Sequence, residues 1–175
     1  MATVIDGSAS VTINSGVVLG ITSGTAVAST SGTSITFSSL PNWIKRITVI
    51  FTNLSTNGTS AVVVRIGSGS VASTGYRSYQ SGFNTAGGVA ASFNSTGFIL
   101  ESGSAASFSR VGSMMMYTAD SNIWQQFGQN NSDNTSGNNT QGQITLGGVL
   151  DRVVITTING TDLFDAGSIN IMYEG

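Results

Sequence analysis

Between Trp43 and Ile66 the side chains alternate with a period that only β-structure accommodates. Trp43, Ile47, Val49 and Phe51 fall on one face, and Arg46, Thr48 and Thr52 on the other. Asn57-Gly58 is a turn signal, and Ala61 to Gly67 returns as a second strand. In that strand Val62, Val64 and Ile66 point inward and Arg65 points out. The pattern predicts a central hairpin, Trp43–Asn53 with Ala61–Gly67. Its core set is Trp43, Ile47, Val49, Phe51, Val62, Val64 and Ile66. Thr33–Phe37 is a short strand leading into the turn at Pro41-Asn42.

The rest of the chain repeats this grammar of short strands and Gly/Asn turns. Residues 1–31 form a β-like segment rich in Ser, Gly, Thr and Val, with pieces at Ala9–Ile13 and Val17–Ile21. It is either an edge pair of the domain or an arm that packs on a neighbour. Residues 32–175 form a single sandwich domain. Gly67 to Gly88 reads as a loop containing Tyr76, Arg77, Tyr79 and Phe83. Val89, Ala91 and Phe93 alternate, as do Phe98 and Leu100. Val111–Thr118 is a strand that puts Met115 on one face and Met114 with Met116 on the other. Residues 129–143, QNNSDNTSGNNTQGQ, contain no apolar side chain. Such a run predicts a solvated loop, a hairpin tip or a contact with a polar partner. Ile144–Leu146, Leu150–Ile158 and a closing strand with Ile169, Ile171 and Tyr173 on one face complete the chain. With no helical period anywhere, the fold expected is all-β: a two-sheet β-sandwich of jelly-roll type.

Charge narrows the partners. Only 8% of the 175 residues are charged, and the net charge is −2, whereas about 25% is usual in soluble domains. The six cations are scattered apart from Lys45-Arg46, so nucleic acid is not an expected partner. No cation precedes Lys45, which predicts no signal peptide. No apolar run approaches the ~20 residues of a membrane span, so no membrane insertion is expected.

Chemistry is sparse. There is no Cys and no His, so thiolate sites and the commonest general base and metal ligand are missing. Asp162 and Asp165 are the nearest pair of carboxylates, and their place after Asn159-Gly160 reads as turn chemistry. No catalytic residue, no metal site and no cofactor are expected. Tyr76, Arg77, Tyr79 and Trp124 are the candidate contacts for a glycan or partner: exposed aromatic rings beside an Arg stack on sugars. The alternative is that these rings pin a loop onto the sandwich. Ile50, Met114 and Met116 are the candidate subunit contacts.

Two stretches carry a resemblance. GTSITFSSLPNWIKRITVIFTNLSTNGTS (Gly32–Ser60) and LDRVVITTINGTDLFDAGSINIMYEG (Leu150–Gly175) resemble segments of tailed-bacteriophage virion proteins of the tail or fibre type. The resemblance implies a non-enzymatic structural protein, made in the host cytoplasm and assembled into the virion. A tail fibre, a tip or a baseplate-attached adhesion domain is the leading expectation. A head decoration (cement) protein and a carbohydrate-binding module are the alternatives. The resemblance also implies self-association, with a homotrimer favoured, and contacts with other virion proteins or host surface glycan.

Overall fold

The computed structural model describes residues 11–13, 16–18, 20–120, 122–132 and 136–175. Among them there are sixteen strands and no helix. The first four are short: β1 (Val11–Ile13), β2 (Gly16–Val18), β3 (Thr22–Ser23) and β4 (Val27–Ala28). Next come β5 (Ser34–Ser38), β6 (Arg46–Thr56), β7 (Val62–Ser68) and β8 (Ser70–Val71). β9 (Arg77–Asn84), β10 (Val89–Asn94), β11 (Phe98–Ile99) and β12 (Arg110–Asp120) follow. The last are β13 (Ile123–Ser132), β14 (Ser136–Thr145), β15 (Arg152–Thr157) and β16 (Phe164–Glu174).

These strands build two antiparallel sheets. The large one runs β10-β9-β14-β13-β12-β6-β16, and β3 and β4 both pair with β16. The small one runs β11-β7-β15-β5, with β8 on β7. β1 and β2 pair with each other. The alternating sets named above do form the core: Ile47, Val49 and Phe51 of β6 share one buried cluster with Val62, Val64 and Ile66 of β7. Ile169 and Ile171 of β16 and Val153 and Ile155 of β15 belong to the same cluster. Trp43 is only half-buried and packs on Tyr173 with ring centroids 5.9 Å apart, while its neighbour Ile44 is buried.

The expected hairpin does not form. β6 pairs with β12 and β16, and β7 pairs with β11, β15 and β8, so the two strands lie in different sheets. The Asn57-Gly58 segment does not close a turn between them. Its polar groups go to the β15–β16 connection: Asn57 N donates to Leu163 O, Leu163 N to Asn57 Oδ1, and Ser60 N to Asp162 Oδ2. β6 also starts at Arg46 and runs past Asn53 to Thr56. Asn53 has φ 51°, and the ladder slips there against both neighbours, opposite Gly167 with φ 90°. The extra residue resets the alternation, so Leu54 and Thr56 turn inward after Phe51.

One more expectation changes. Residues 67–88 hold the two strands β8 and β9. The described residues of the polar run, 129–132 and 136–143, lie on β13 and β14, which pair with each other inside the large sheet. Before residue 32, β3 and β4 lie on β16, and the Ser29 hydroxyl is buried and donates to Ala166 O.

The polar hairpin is accommodated because its inward side chains are partners for one another. Asn138 Nδ2 donates to Asn130 Oδ1 and Ser132 Oγ, and Gln80 Nε2 donates to Asn138 Oδ1. Asn130 Nδ2 reaches Leu100 O on the opposite side of the core, and Gln126 Nε2 reaches Thr140 Oγ1. A buried amide is tolerated when it is hydrogen-bonded; the ladder supplies this for Asn130, Asn138 and the Nε2 groups of Gln80 and Gln126, whereas Gln80 Oε1 and Gln126 Oε1 are buried without a partner.

Candidate functional site

The outer face of the large sheet carries the surface that an ordinary solvated sheet lacks. On β9 the outward residues are Arg77, Tyr79, Ser81 and Phe83, all exposed. Register extends each across the sheet. Tyr79 lies beside Phe93 of β10 and Gln141 of β14; Gln141 lies beside Phe127 of β13, and Phe127 beside Met115 of β12. The next row is Arg77, Gln143, Gln125 and Tyr117, ending at Arg46, which is ion-paired with Glu174. The row on the other side is Ala91, Ser81, Asn139, Gln129 and Ser113, ending at Ile50. Aromatic rings thus alternate with amides, with little charge between them.

The rings stand proud of a low floor. Tyr79 is 49% exposed, Phe93 54% and Phe127 48%. Tyr79 and Phe93 lean on each other with centroids 5.1 Å apart. Three adjoining hollows, of about 390, 280 and 410 Å³, follow β9 from Arg77 to Phe83. Asn139 and Gln141 of β14 lie along their base. At the far end Phe83 lies over Gly137, where a Cβ would meet the ring at 2.8 Å. Some amides are already oriented: Gln129 Nε2 donates to Asn139 Oδ1, and the Tyr117 hydroxyl to Gln125 Oε1.

Of the four residues expected to meet a glycan or partner, Arg77 and Tyr79 are on this face. Tyr76 and Trp124 are not; both are buried in the core. The Tyr76 hydroxyl accepts from Ile66 N at 2.7 Å and faces Ile66 O and Ala72 O, so the ring pins the β7–β9 connection. Burial pushes its phenol up to about 12. Of the expected subunit contacts, Met114 and Met116 are also in the core, and Met115 takes the outer face. The reason is the neighbour: pairing β12 with β6 puts Met114 opposite Val49 and Met116 opposite Ile47, both inward residues. Ile50 is on the outer face, half-buried between Ser113 and Asn170.

No protein-family profile, curated protein or solved structure matches this chain. The assignment of a site therefore stands on geometry.

A further hollow, of about 350 Å³, opens at the end of the sandwich beside Phe83, Val89, Phe108 and Glu101. Glu101 is buried and bound by Arg110, whose Nε lies 2.9 and 2.8 Å from the two carboxylate oxygens. Val62 N also donates to it at 3.2 Å, and Arg110 reaches Ser104 and Leu54 O. Burial pushes the Glu101 carboxyl up, against the pull of Arg110. Among the described residues no group of three His, Cys, Asp or Glu is gathered for a metal. Asp162 accepts from Ser60 N and from Asn159 Nδ2, as a turn carboxylate does. Asp133 lies outside the described residues.

Phe93, Tyr117 and Phe127 were not foreseen as site residues; the amides Gln129, Asn139, Gln141 and Gln143 belong to the polar run for which contact with a polar partner was one alternative. The signal was the spacing of Trp124 and Phe127. Three residues apart in a strand, they point to opposite faces, so a buried Trp124 forces Phe127 outward.

Proposed function

We propose that this chain is a jelly-roll structural protein of a tailed-phage virion, a fibre, tip or baseplate-attached adhesion domain, and that it is not an enzyme. The observation that carries the reading is how the two resembling stretches meet. Gly32–Ser60 contains β5 and β6, and Leu150–Gly175 contains β15 and β16. β5 pairs with β15 in the small sheet, and β6 with β16 in the large one. Stretches far apart in sequence thus make one two-layered block. The strands between them, β9 to β14, carry the aromatic and amide face. A framework with a site grafted on the strands between its two halves suits an adhesion domain.

The strand order supports the jelly roll. With the β13–β14 hairpin set aside, β5 pairs β15, β6 pairs β12, β7 pairs β11 and β9 pairs β10. This is one long antiparallel hairpin folded over, with members alternating between sheets. The β7–β15 pair is the seam of that wrapping in the small sheet. In the large sheet the matching seam would join β12 to β9; β13 and β14 are inserted there.

A head-decoration role is the rival reading, and the burial of Tyr76 and Trp124 favours it. The exposure of Tyr79, Phe93 and Phe127 favours adhesion. Self-association, a trimer by resemblance, and attachment to other virion proteins belong to both. Gold-labelled antibodies against the purified protein, viewed on intact particles, separate them. Label at the tail end supports adhesion, and label over the capsid gives decoration. Particles that carry no label and contain no such chain by mass spectrometry overturn the virion reading altogether.

A further inference from the structure

We infer that the groove along β14, walled by Tyr79 and Phe127, binds an uncharged oligosaccharide. The inference rests on the adhesion reading for its biological sense, but its geometry is independent of where the protein sits. Tyr79 and Phe127 occupy one row with Gln141 between them. Two strand spacings, about 9.5 Å, separate them, close to the length of two linked pyranose rings. An aromatic ring takes the apolar C–H face of a sugar, and an amide donates to one hydroxyl while accepting from another. Gln141 supplies such an amide between the rings, and Asn139 and Gln143 supply others in the rows to either side along β14.

The alternative occupant is a second copy of this chain, and the same features disfavour it. The buried centre of a protein interface is closely packed and apolar. Here the rings are separated by amides, each needing a partner once desolvated. The hollows of about 280 and 390 Å³ flanking Tyr79 would also stay empty under a flat partner. A sugar chain fills them and satisfies the amides with its hydroxyls. The near absence of charge fits a neutral chain; Arg77, at the rim, is the one cation beside Tyr79.

The experiment is affinity electrophoresis of the purified protein in gels cast with neutral polysaccharides: dextran, mannan, galactan, soluble starch and xyloglucan. We expect at least one to retard it. Tyr79→Ala and Phe127→Ala, both at exposed positions, should each weaken that retardation about tenfold with an unchanged thermal midpoint. Trp124→Phe, in the core, should leave it intact. Retardation by none of the polymers overturns the inference, as does retardation that survives both alanine variants. So does a wild-type oligomer that Tyr79→Ala and Phe127→Ala convert to monomer, since the face would then belong to a second copy. Gold labelling of particles is unaffected by any of these outcomes, so the glycan inference and the virion reading fail separately.

Discussion

At the scale of single residues, two groups make the fold sensitive to pH at opposite ends. The Tyr76 phenol, pushed up to about 12 by burial, has an ordinary value near 10. Its neutral form is the one the fold prefers. The stabilisation is therefore complete below about pH 10 and is lost as pH rises through about 12. Ultraviolet titration should find one tyrosine ionising about two units late, together with unfolding. Tyr76→Phe should remove that late step and lower stability by about 1–3 kcal/mol, because Ile66 N loses its acceptor. A late step that persists in Tyr76→Phe would place the phenol elsewhere. Asp162 behaves in the opposite sense. The Asn159 amide and the Ser60 N–H hold its carboxyl below the usual range. Its contribution is present above the unfolded value of about 4 and disappears as pH falls through the lower folded one. Asp162→Asn should flatten the acid limb of a melting-temperature profile below about pH 4. An acid limb equal to wild type would show that the turn does not depend on the charge.

At the scale of elements, the connection from β11 to β12 is held by the Glu101–Arg110 pair. Both side chains are buried. Removing one partner of such a pair strands the other, at roughly 3–5 kcal/mol. Arg110→Met should therefore destabilise the protein by about that much at neutral pH. Without the guanidinium, burial pushes Glu101 higher still. A raised folded value means that stability falls as pH rises through it, so the variant should recover as pH is lowered towards the ordinary carboxyl range. Glu101→Gln/Arg110→Met should regain part of the loss. Denaturant melts of the three variants at two pH values test this. A single variant as stable as wild type would mean that the pair contributes nothing. The methionines of β12 teach a related lesson: Met116→Glu would bury a charge opposite Ile47 and unfold the sandwich, so it cannot report on a subunit contact.

At the scale of the whole molecule, one unguarded place is the β10 edge of the large sheet. Natural edges are protected by Lys, Pro or inward charge. β10 reads VAASFN and has none of these; Val89 is 86% exposed and Phe93 54%. If the protein associates with itself, this edge is a place to cover. Ala90→Lys, at an exposed position in register with Gly82, should shift sedimentation towards monomer. A wild-type protein that is monomeric at micromolar concentration, or an oligomer indifferent to this substitution, rules the edge out.

Alternation in the sequence was enough to identify the all-β class and the inward set from Ile47 to Ile66, because period-two patterning follows from strand geometry alone. It could not say which strands are neighbours. Ile47, Val49 and Phe51 are buried together with Val62, Val64 and Ile66 whether the strands pair side by side or oppose each other across the core. Only the tertiary structure decided that β6 and β7 oppose. The polar hairpin was illegible for a different reason. Apolar patterning marks a buried strand only when water is replaced by hydrocarbon. The inward faces of β13 and β14 replace it with each other's amides. The candidate site has the same history: Arg77 and Tyr79 were visible as an exposed pair, but a groove assembled from β9, β14 and β13 exists only once their register brings Tyr79, Gln141 and Phe127 into one row.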